Sequence, residues 1–329
     1  MTAEMTRLPL AHLPTPLEKL DRLAAHLGGP ALWVKRDDQT GLAFGGNKTR
    51  KLEYLLAEAQ AAGARTLITG GALQSNHCRQ TAAAAARLGL ACCLVLNGEA
   101  TEIPSGNLLL DKLFGASVTL TSRAGRDAAM EQVYEQVLAE GGSPYLIPYG
   151  GSNLIGAAAY AFALQEMLKQ GLDPDWIVLA SSSGGTQAGL VAGAALYGFG
   201  GQILGISIED EGEILRAKVA KLAAEVVGRL GGEGEAGVAA QVRVEDSYLG
   251  GGYGVMGEPE RQAIQLFALY EGLLLDPVYT GRAAAGLIDL VRRGFFSRDE
   301  KVLFWHTGGT PALLAERYQG RLLGSVLAK

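Results

Sequence analysis

The residues that most invite chemistry are Gly45-Gly46-Asn47-Lys48-Thr49-Arg50-Lys51. Leu52, Leu55, Leu56 and Ala59 follow at helical spacing, so the run opens an amphipathic helix with one apolar face. Asn47 is the expected cap, which puts Lys48 in the first turn on the polar side. The two glycines let backbone approach a ligand closely there. A helix start attracts anions through its free N–H groups, so a lysine there gains nothing from the helix dipole. One explanation is a Schiff base to an aldehyde cofactor that also carries a phosphate. The alternative is a solvated lysine on a surface helix.

Other stretches bear on that choice. The apolar run Trp176 to Ala180 passes into Ser181-Ser182-Ser183-Gly184-Gly185-Thr186 and then into a small-residue helix. Strand, Gly/Ser loop and helix together can cradle a phosphate on backbone N–H groups. A tight turn with close packing explains the same residues, and no GxxxxGK[ST] occurs. Tyr253 lies within the glycine-dense Gly250-Gly251-Gly252-Tyr253-Gly254. Tyr279 and Thr280 fall in Asp276-Pro277-Val278-Tyr279-Thr280-Gly281-Arg282. Thr307 belongs to His306-Thr307-Gly308-Gly309-Thr310-Pro311, with Pro311 suited to a first helical turn.

An alternating pattern must position these residues. Leu17 to Leu27 reads as a short helix and Ala31 to Lys35 as a strand, and the charges at 35–38 brace the loop carrying Lys48. From residue 52 onward, helices alternate with strands at 65–69, 91–96, 117–120 and 145–147, a compact β-α-β run of residues 52–157. Ser75-Asn76 begins the helix after the first of these strands. Further strands are expected at 176–180, 203–208, from Val242, at 273–275 and at 302–305. Gly231 to Gly237 is the most linker-like stretch. The fold class is α/β, with two open, twisted, mostly parallel sheets. Residues 1–51 plus 158–329 form the larger, cofactor-binding domain, and residues 52–157 the smaller. Ligands in such sheets bind at the carboxyl ends of strands, here in the cleft between the domains.

Composition excludes several classes. Apolar residues make up 48% of 329, charged residues 19%, and the net charge is −5. That suits a large buried core and offers no basic field for nucleic acid or acidic lipid. The three cysteines (Cys78, Cys92, Cys93) form no CxxC, and the four histidines show no metal-ligand spacing, so no metal is expected. A reducing, cytoplasmic setting follows. Residues 1–13 carry Glu4 and Arg7, and no signal peptide or membrane span is expected.

Six motifs taken together resemble the pyridoxal-phosphate enzymes of tryptophan-synthase-β fold type, within them the group of D-cysteine desulfhydrase and 1-aminocyclopropane-1-carboxylate (ACC) deaminase. They are Lys35-Arg36-Asp37-Asp38, Gly45-Gly46-Asn47-Lys48, Gln74-Ser75-Asn76-His77, Ser183-Gly184-Gly185-Thr186, Asp276-Pro277-Val278-Tyr279 and His306-Thr307-Gly308-Gly309. The resemblance spans nearly the whole chain. It implies pyridoxal 5'-phosphate held on Lys48, with Asn76 at its ring hydroxyl. Ser183, Gly184, Gly185 and Thr186 would hold the phosphate, with Lys51 lending charge. Ser75 would meet the substrate, and Tyr253 and Tyr279 would flank it. Thr280 and Thr307 are also cofactor-side positions, and a threonine rather than a carboxylate at the ring nitrogen favours prompt loss of a β-leaving group. The deaminases resemble Glu, Leu and Gln where this chain has Thr280, Thr307 and His77, which matches the desulfhydrase side. Arg282, Thr310 and the polar tail from Glu316 depart from that side, and L-cysteate sulfo-lyase resembles the chain almost as well. A homodimer acting on a small amino acid is implied.

The expected reaction is β-elimination from D-cysteine to pyruvate, ammonia and sulfide. Lys48 is its base at Cα, and Tyr279, then Tyr253, is the candidate acid for the leaving group. L-Cysteate sulfo-lyase and ACC deaminase are the alternatives. A different class, an NAD-dependent oxidoreductase, is suggested by Gly252-Tyr253-Gly254-Val255-Met256-Gly257, which matches GxGxxG ahead of a helix and Asp276. A third class would bind pyridoxal phosphate without turnover.

Overall fold

The structure is a computed structural model that describes residues 4–99, 102–232 and 235–323. Part of the linker-like stretch and the end of the polar tail therefore lie outside the described residues. Among the described residues, ten strands form two sheets. They are β1 (Leu17–Lys19), β2 (Ala31–Arg36), β3 (Thr66–Ala72), β4 (Ala91–Asn97), β5 (Ser117–Thr121), β6 (Pro144–Leu146), β7 (Trp176–Ser181), β8 (Gln202–Ser207), β9 (Val242–Glu245) and β10 (Lys301–His306). The larger sheet has the order β1-β2-β10-β7-β8-β9, the smaller β5-β4-β3-β6. Every pairing is parallel except β1 with β2.

Parallel strands need crossovers, and helices supply them on both faces. The period of two along each strand sorts the core accordingly. Val302 and Phe304 face one layer with Leu32, Val178 and Ile206. Leu303 and Trp305 face the other with Ile177, Leu179 and Ile203. The smaller sheet has its own core of Leu52, Leu55, Leu67, Leu94 and Leu96. The helix over Asn47–Ala61 thus packs its apolar face on the smaller sheet while its first turn abuts the larger one.

Two expectations change. Residues 17–19 form an edge strand, and the helix begins only at Asp21. The run Leu273-Leu274-Leu275 joins no ladder, although Leu273 and Leu275 are buried and Leu274 is exposed. It pairs with neither edge strand of the larger sheet, β1 or β9.

Close packing is tightest between the helices Leu154–Lys169 and Gly185–Tyr197. A Cβ on Gly189 would lie 2.0 Å from the Ala157 carbonyl oxygen. Gly189→Ala should therefore cost ~1–3 kcal/mol through forced separation of the helices. A lowered denaturant midpoint would register that loss, and an unchanged one would mean the helices part freely.

Candidate active site

The carboxyl ends of β3, β7 and β10 converge on one cleft. Its walls carry Lys48, Ser75, Asn76, Ser183, Gly184, Thr186, Tyr279 and Thr307 together. Lys48 and Thr307, 259 positions apart (307 − 48 = 259), line it together because β10 lies between β2 and β7, with His306 opposite Arg36. That register delivers Thr307 to the Lys48 loop, where the Asn47 N–H donates to the Thr307 carbonyl at 3.0 Å.

The helix carrying Lys48 is held by a buried ion network. Asp37 accepts from Arg50, Thr15, Tyr160 and Trp305, at 2.6–3.1 Å. Arg50 also forms two 2.9 Å bonds to Glu166, which accepts from Lys35 at 2.6 Å. Burial alone would raise the Asp37 carboxyl, but Arg50 and Lys35 overcome it and hold the group below the usual carboxylate range. The Asp37 carbonyl also accepts from the Gly46 N–H at 2.9 Å. The helix cap is Gly46 rather than Asn47, whose side chain instead donates from Nδ2 to Thr186 Oγ1 at 2.9 Å and accepts from Lys48 at Oδ1.

Lys48 Nζ donates to Asn47 Oδ1 at 3.1 Å. Burial and then the nearby Arg79 lower its pKa to about 8, with Asp276 opposing. In cofactor-free protein, amine-directed labelling of Lys48 should thus have its midpoint near pH 8 rather than at the ordinary 10.5. The folded value lies below the unfolded one, so the unfolded chain holds more protons between them. Cofactor-free protein should gain stability as pH rises through that interval. A labelling midpoint at the ordinary lysine value would refute this.

A helix N-terminus at Gly185, with Ser183 and Thr186 beside it, gives the cleft an end whose free N–H groups suit an anion. Lys51 lies behind it, donating to the Gly150 carbonyl at 3.2 Å and Ser152 Oγ at 3.1 Å. A Cβ at Gly185 would meet Ser152 Oγ at 2.5 Å and Lys51 Nζ at 2.9 Å, so glycine is needed for this approach. Ser75 caps the helix Asn76–Leu88 by accepting from the Cys78 N–H at 3.2 Å. Tyr253 meets Tyr279 hydroxyl to hydroxyl at 2.6 Å, and burial raises both phenols well above their ordinary value. Thr280 is not brought to the cleft. It is fully buried, and its hydroxyl donates to Asp276 Oδ1 at 2.8 Å.

Sequence reasoning missed several neighbours. Tyr149 lines the cleft from the turn after β6, with the Arg126 guanidinium 4.3 Å from its ring centre. Arg123, beside it, pairs with Glu209 and lies 5.7 Å from the ring centre of Tyr253. His77, read only as a family marker, also lines the cleft. Thr69 Oγ1 donates to the Ile147 carbonyl at 2.8 Å, so its contact with His77 Nε2 at 3.0 Å requires the proton on Nε2. His77 Nδ1 is then a bare acceptor, with no partner among the described residues. Only Tyr149-Gly150-Gly151, a glycine-rich strand exit, carried a signal that could have found this wall.

The glycines of the GxGxxG run do not form a nucleotide turn. β9 ends at Glu245, and residues 246–257 are irregular. The next helix opens with Glu258 and Glu260, which repel phosphate.

A lysine in the first turn of one helix, facing the N-terminus of another across a two-sheet cleft, defines an enzyme built to hold a phosphorylated aldehyde. The fit to pyridoxal phosphate is specific. Lys48 offers an amine, Gly185 and its neighbours an anion cradle, and Asn76 an amide nitrogen that donates to no described residue. The family model described as "Pyridoxal-phosphate dependent enzyme" matches residues 8–308, and the chain belongs to that family. It is 42% identical over 318 residues to a D-cysteine desulfhydrase of Klebsiella pneumoniae (strain 342), covering 94% of this chain and 95% of that one. It is 42% identical over 320 residues to one of Salmonella typhi, with the same coverage. Among solved structures, an ACC deaminase homologue aligns with a TM-score of 0.89 and 38% identity over 98% of this chain and 96% of that one. A fungal L-serine ammonia-lyase from Rhizomucor miehei, at 14% identity, shares the fold with a TM-score of 0.70 over 98% of this chain and 99% of its own.

Proposed function

We propose that this enzyme is a carbon–sulfur lyase that converts D-cysteine to pyruvate, ammonia and sulfide. The observation that carries the reading is that Lys48 and Tyr279 line one cleft, with the Tyr279 hydroxyl paired to that of Tyr253, which stands outside the cleft lining. When bound, pyridoxal phosphate supplies the electron sink for negative charge at Cα. Ser183, Gly184, Gly185 and Thr186 hold its phosphate, with Lys51 adding charge. Asn76 would donate to the ring hydroxyl, and Thr307 would meet the ring nitrogen. Thr280 acts at one remove, by fixing Asp276. Ser75 and the free N–H groups that follow it orient the substrate carboxylate. Lys48, with a pKa near 8, takes the Cα proton at neutral to mildly alkaline pH. The C–S bond then breaks with its electron pair on sulfur, and Tyr279, backed by Tyr253, gives sulfur a proton.

The division into residues 52–157 and the remainder, a homodimer and a cytoplasmic setting belong to the same proposal. No helix among the described residues is long and apolar enough to cross a membrane. Ring-opening deamination of ACC is the second reading, favoured by the similarity to the ACC deaminase homologue. Elimination of sulfite from L-cysteate is the third. Steady-state assays with all three substrates, reading keto-acid release, separate them. Sulfide with pyruvate from D-cysteine is expected at the highest kcat/KM. A higher value for either rival would replace the proposed substrate.

A further inference from the structure

Asn76 is held from behind. Its Oδ1 accepts from Asn107 Nδ2 at 2.9 Å and from Arg79 NH1 at 3.2 Å. Asn107 Oδ1 accepts from Arg79 NH1 at 3.0 Å, and its Nδ2 also donates to the Gln74 carbonyl at 2.8 Å. The ends of this network fix its polarity. Arginine has no acceptor atom, so the atoms of Asn76 and Asn107 that face it are oxygens. A backbone carbonyl cannot donate, so the atom of Asn107 facing Gln74 is nitrogen. Both Arg79 and Asn107 are fully buried, and Arg79 also donates to the Gly45 carbonyl at 2.7 Å, three residues before Lys48. With its oxygen engaged twice, Asn76 has only its NH2 left to turn elsewhere.

We propose that Asn107, acting with Arg79, is a positioning residue that locks the Asn76 carboxamide with its NH2 toward the cofactor's ring oxygen. This rests on the assignment of Asn76 to that oxygen. Asn107 lies on the helix Gly106–Leu113, away from the cleft lining. The hydrogen-bond polarity at the cofactor is thus set by a residue that does not touch it. Replacing Asn107 by an acceptor works against the lock. The new carboxylate repels Asn76 Oδ1 and attracts its NH2, so only Arg79 still holds the oxygen and the NH2 is drawn away from the ring oxygen.

The test compares Asn107→Asp, Asn107→Leu and Asn76→Ala with the wild type. The readouts are equilibrium dissociation of pyridoxal phosphate, followed by tryptophan fluorescence, and the visible absorption band of the loaded protein, expected at roughly 400–430 nm. Circular dichroism of the cofactor-free proteins checks folding. The expected result is that Asn107→Asp binds the cofactor about tenfold or more weakly, the size of one lost hydrogen bond to a charged partner. Its band should move toward the near ultraviolet, as in Asn76→Ala, with Asn107→Leu between them and the wild type. A folded Asn107→Asp protein with wild-type affinity and band, beside a shifted Asn76→Ala, would overturn the lock alone. If Asn76→Ala is also unshifted, the Asn76 assignment falls and takes the lock with it. Should Asn107→Asp fail to fold, Asn107→Leu decides: wild-type values in both readouts overturn the proposal, and an intermediate loss upholds it.

Discussion

Lys48→Ala should abolish turnover and leave the fold standing. A positioned general base contributes about 10²–10⁴ in rate, and under the proposed function Lys48 would also anchor the cofactor, so the loss should exceed that range. Its one side-chain hydrogen bond among the described residues is to Asn47, and its ammonium is disfavoured by burial and by Arg79. Removing it therefore takes away a strained charge rather than a support. The substituted protein should melt at or above the wild-type temperature when both are cofactor-free, and should lack the visible band after pyridoxal phosphate is added. Retention of both the band and D-cysteine turnover would show that another amine does the work. Lys51 is the nearest rival, but its Nζ donates to the Gly150 carbonyl and Ser152 Oγ behind the cradle.

Asp37→Ala should be the most damaging change outside the cleft. Five donor groups, from Thr15, Tyr160, Trp305 and the Nε and NH2 of Arg50, lose their acceptor at once. The greater harm is the Arg50 guanidinium left buried with only Glu166 to balance it, while Lys35 competes for the same carboxylate. Breaking one side of a buried pair typically costs ~3–5 kcal/mol. Urea unfolding should show that loss, and cofactor affinity should fall with it, because Arg50 lies on the helix that presents Lys48. The double change Asp37→Ala with Arg50→Met removes the stranded charge and should recover part of the stability. A single variant within ~1 kcal/mol of the wild type would mean that water reaches this network.

The glycine-led helix start was legible because loop and helix are contiguous, and the same holds for the Ser183–Thr186 cradle. The alternation of strands was legible for a similar reason, since parallel strands buried on both faces read as short apolar runs. What escaped depended on partners distant in sequence. Asn47 looks like a cap, but its side chain bonds to Thr186 instead. Arg79 and Asn107 look like ordinary helix polar residues, and only the fold stacks them behind Asn76. Thr280 has the right neighbours in sequence, but the turn after Asp276 folds its hydroxyl back onto that carboxylate. Leu273-Leu274-Leu275 has a strand's alternation, but sheet membership depends on a backbone partner elsewhere in the chain, which three residues do not reveal.

The central place of β10 governs how the chain can assemble during synthesis. β2 leaves the ribosome early, yet its parallel partner β10 is made about 270 residues later (301 − 31 = 270). β7 waits for that same strand on its other edge. Until then the larger sheet exists as two pieces with unpaired edges, which are templates for mispairing. The smaller sheet is complete once β6 has emerged. Its neighbour is therefore a late, high-contact-order event, and ordering the Lys48 loop waits on that event. A nascent chain stalled before residue 301 would leave the β10-facing edge of β2 unpaired.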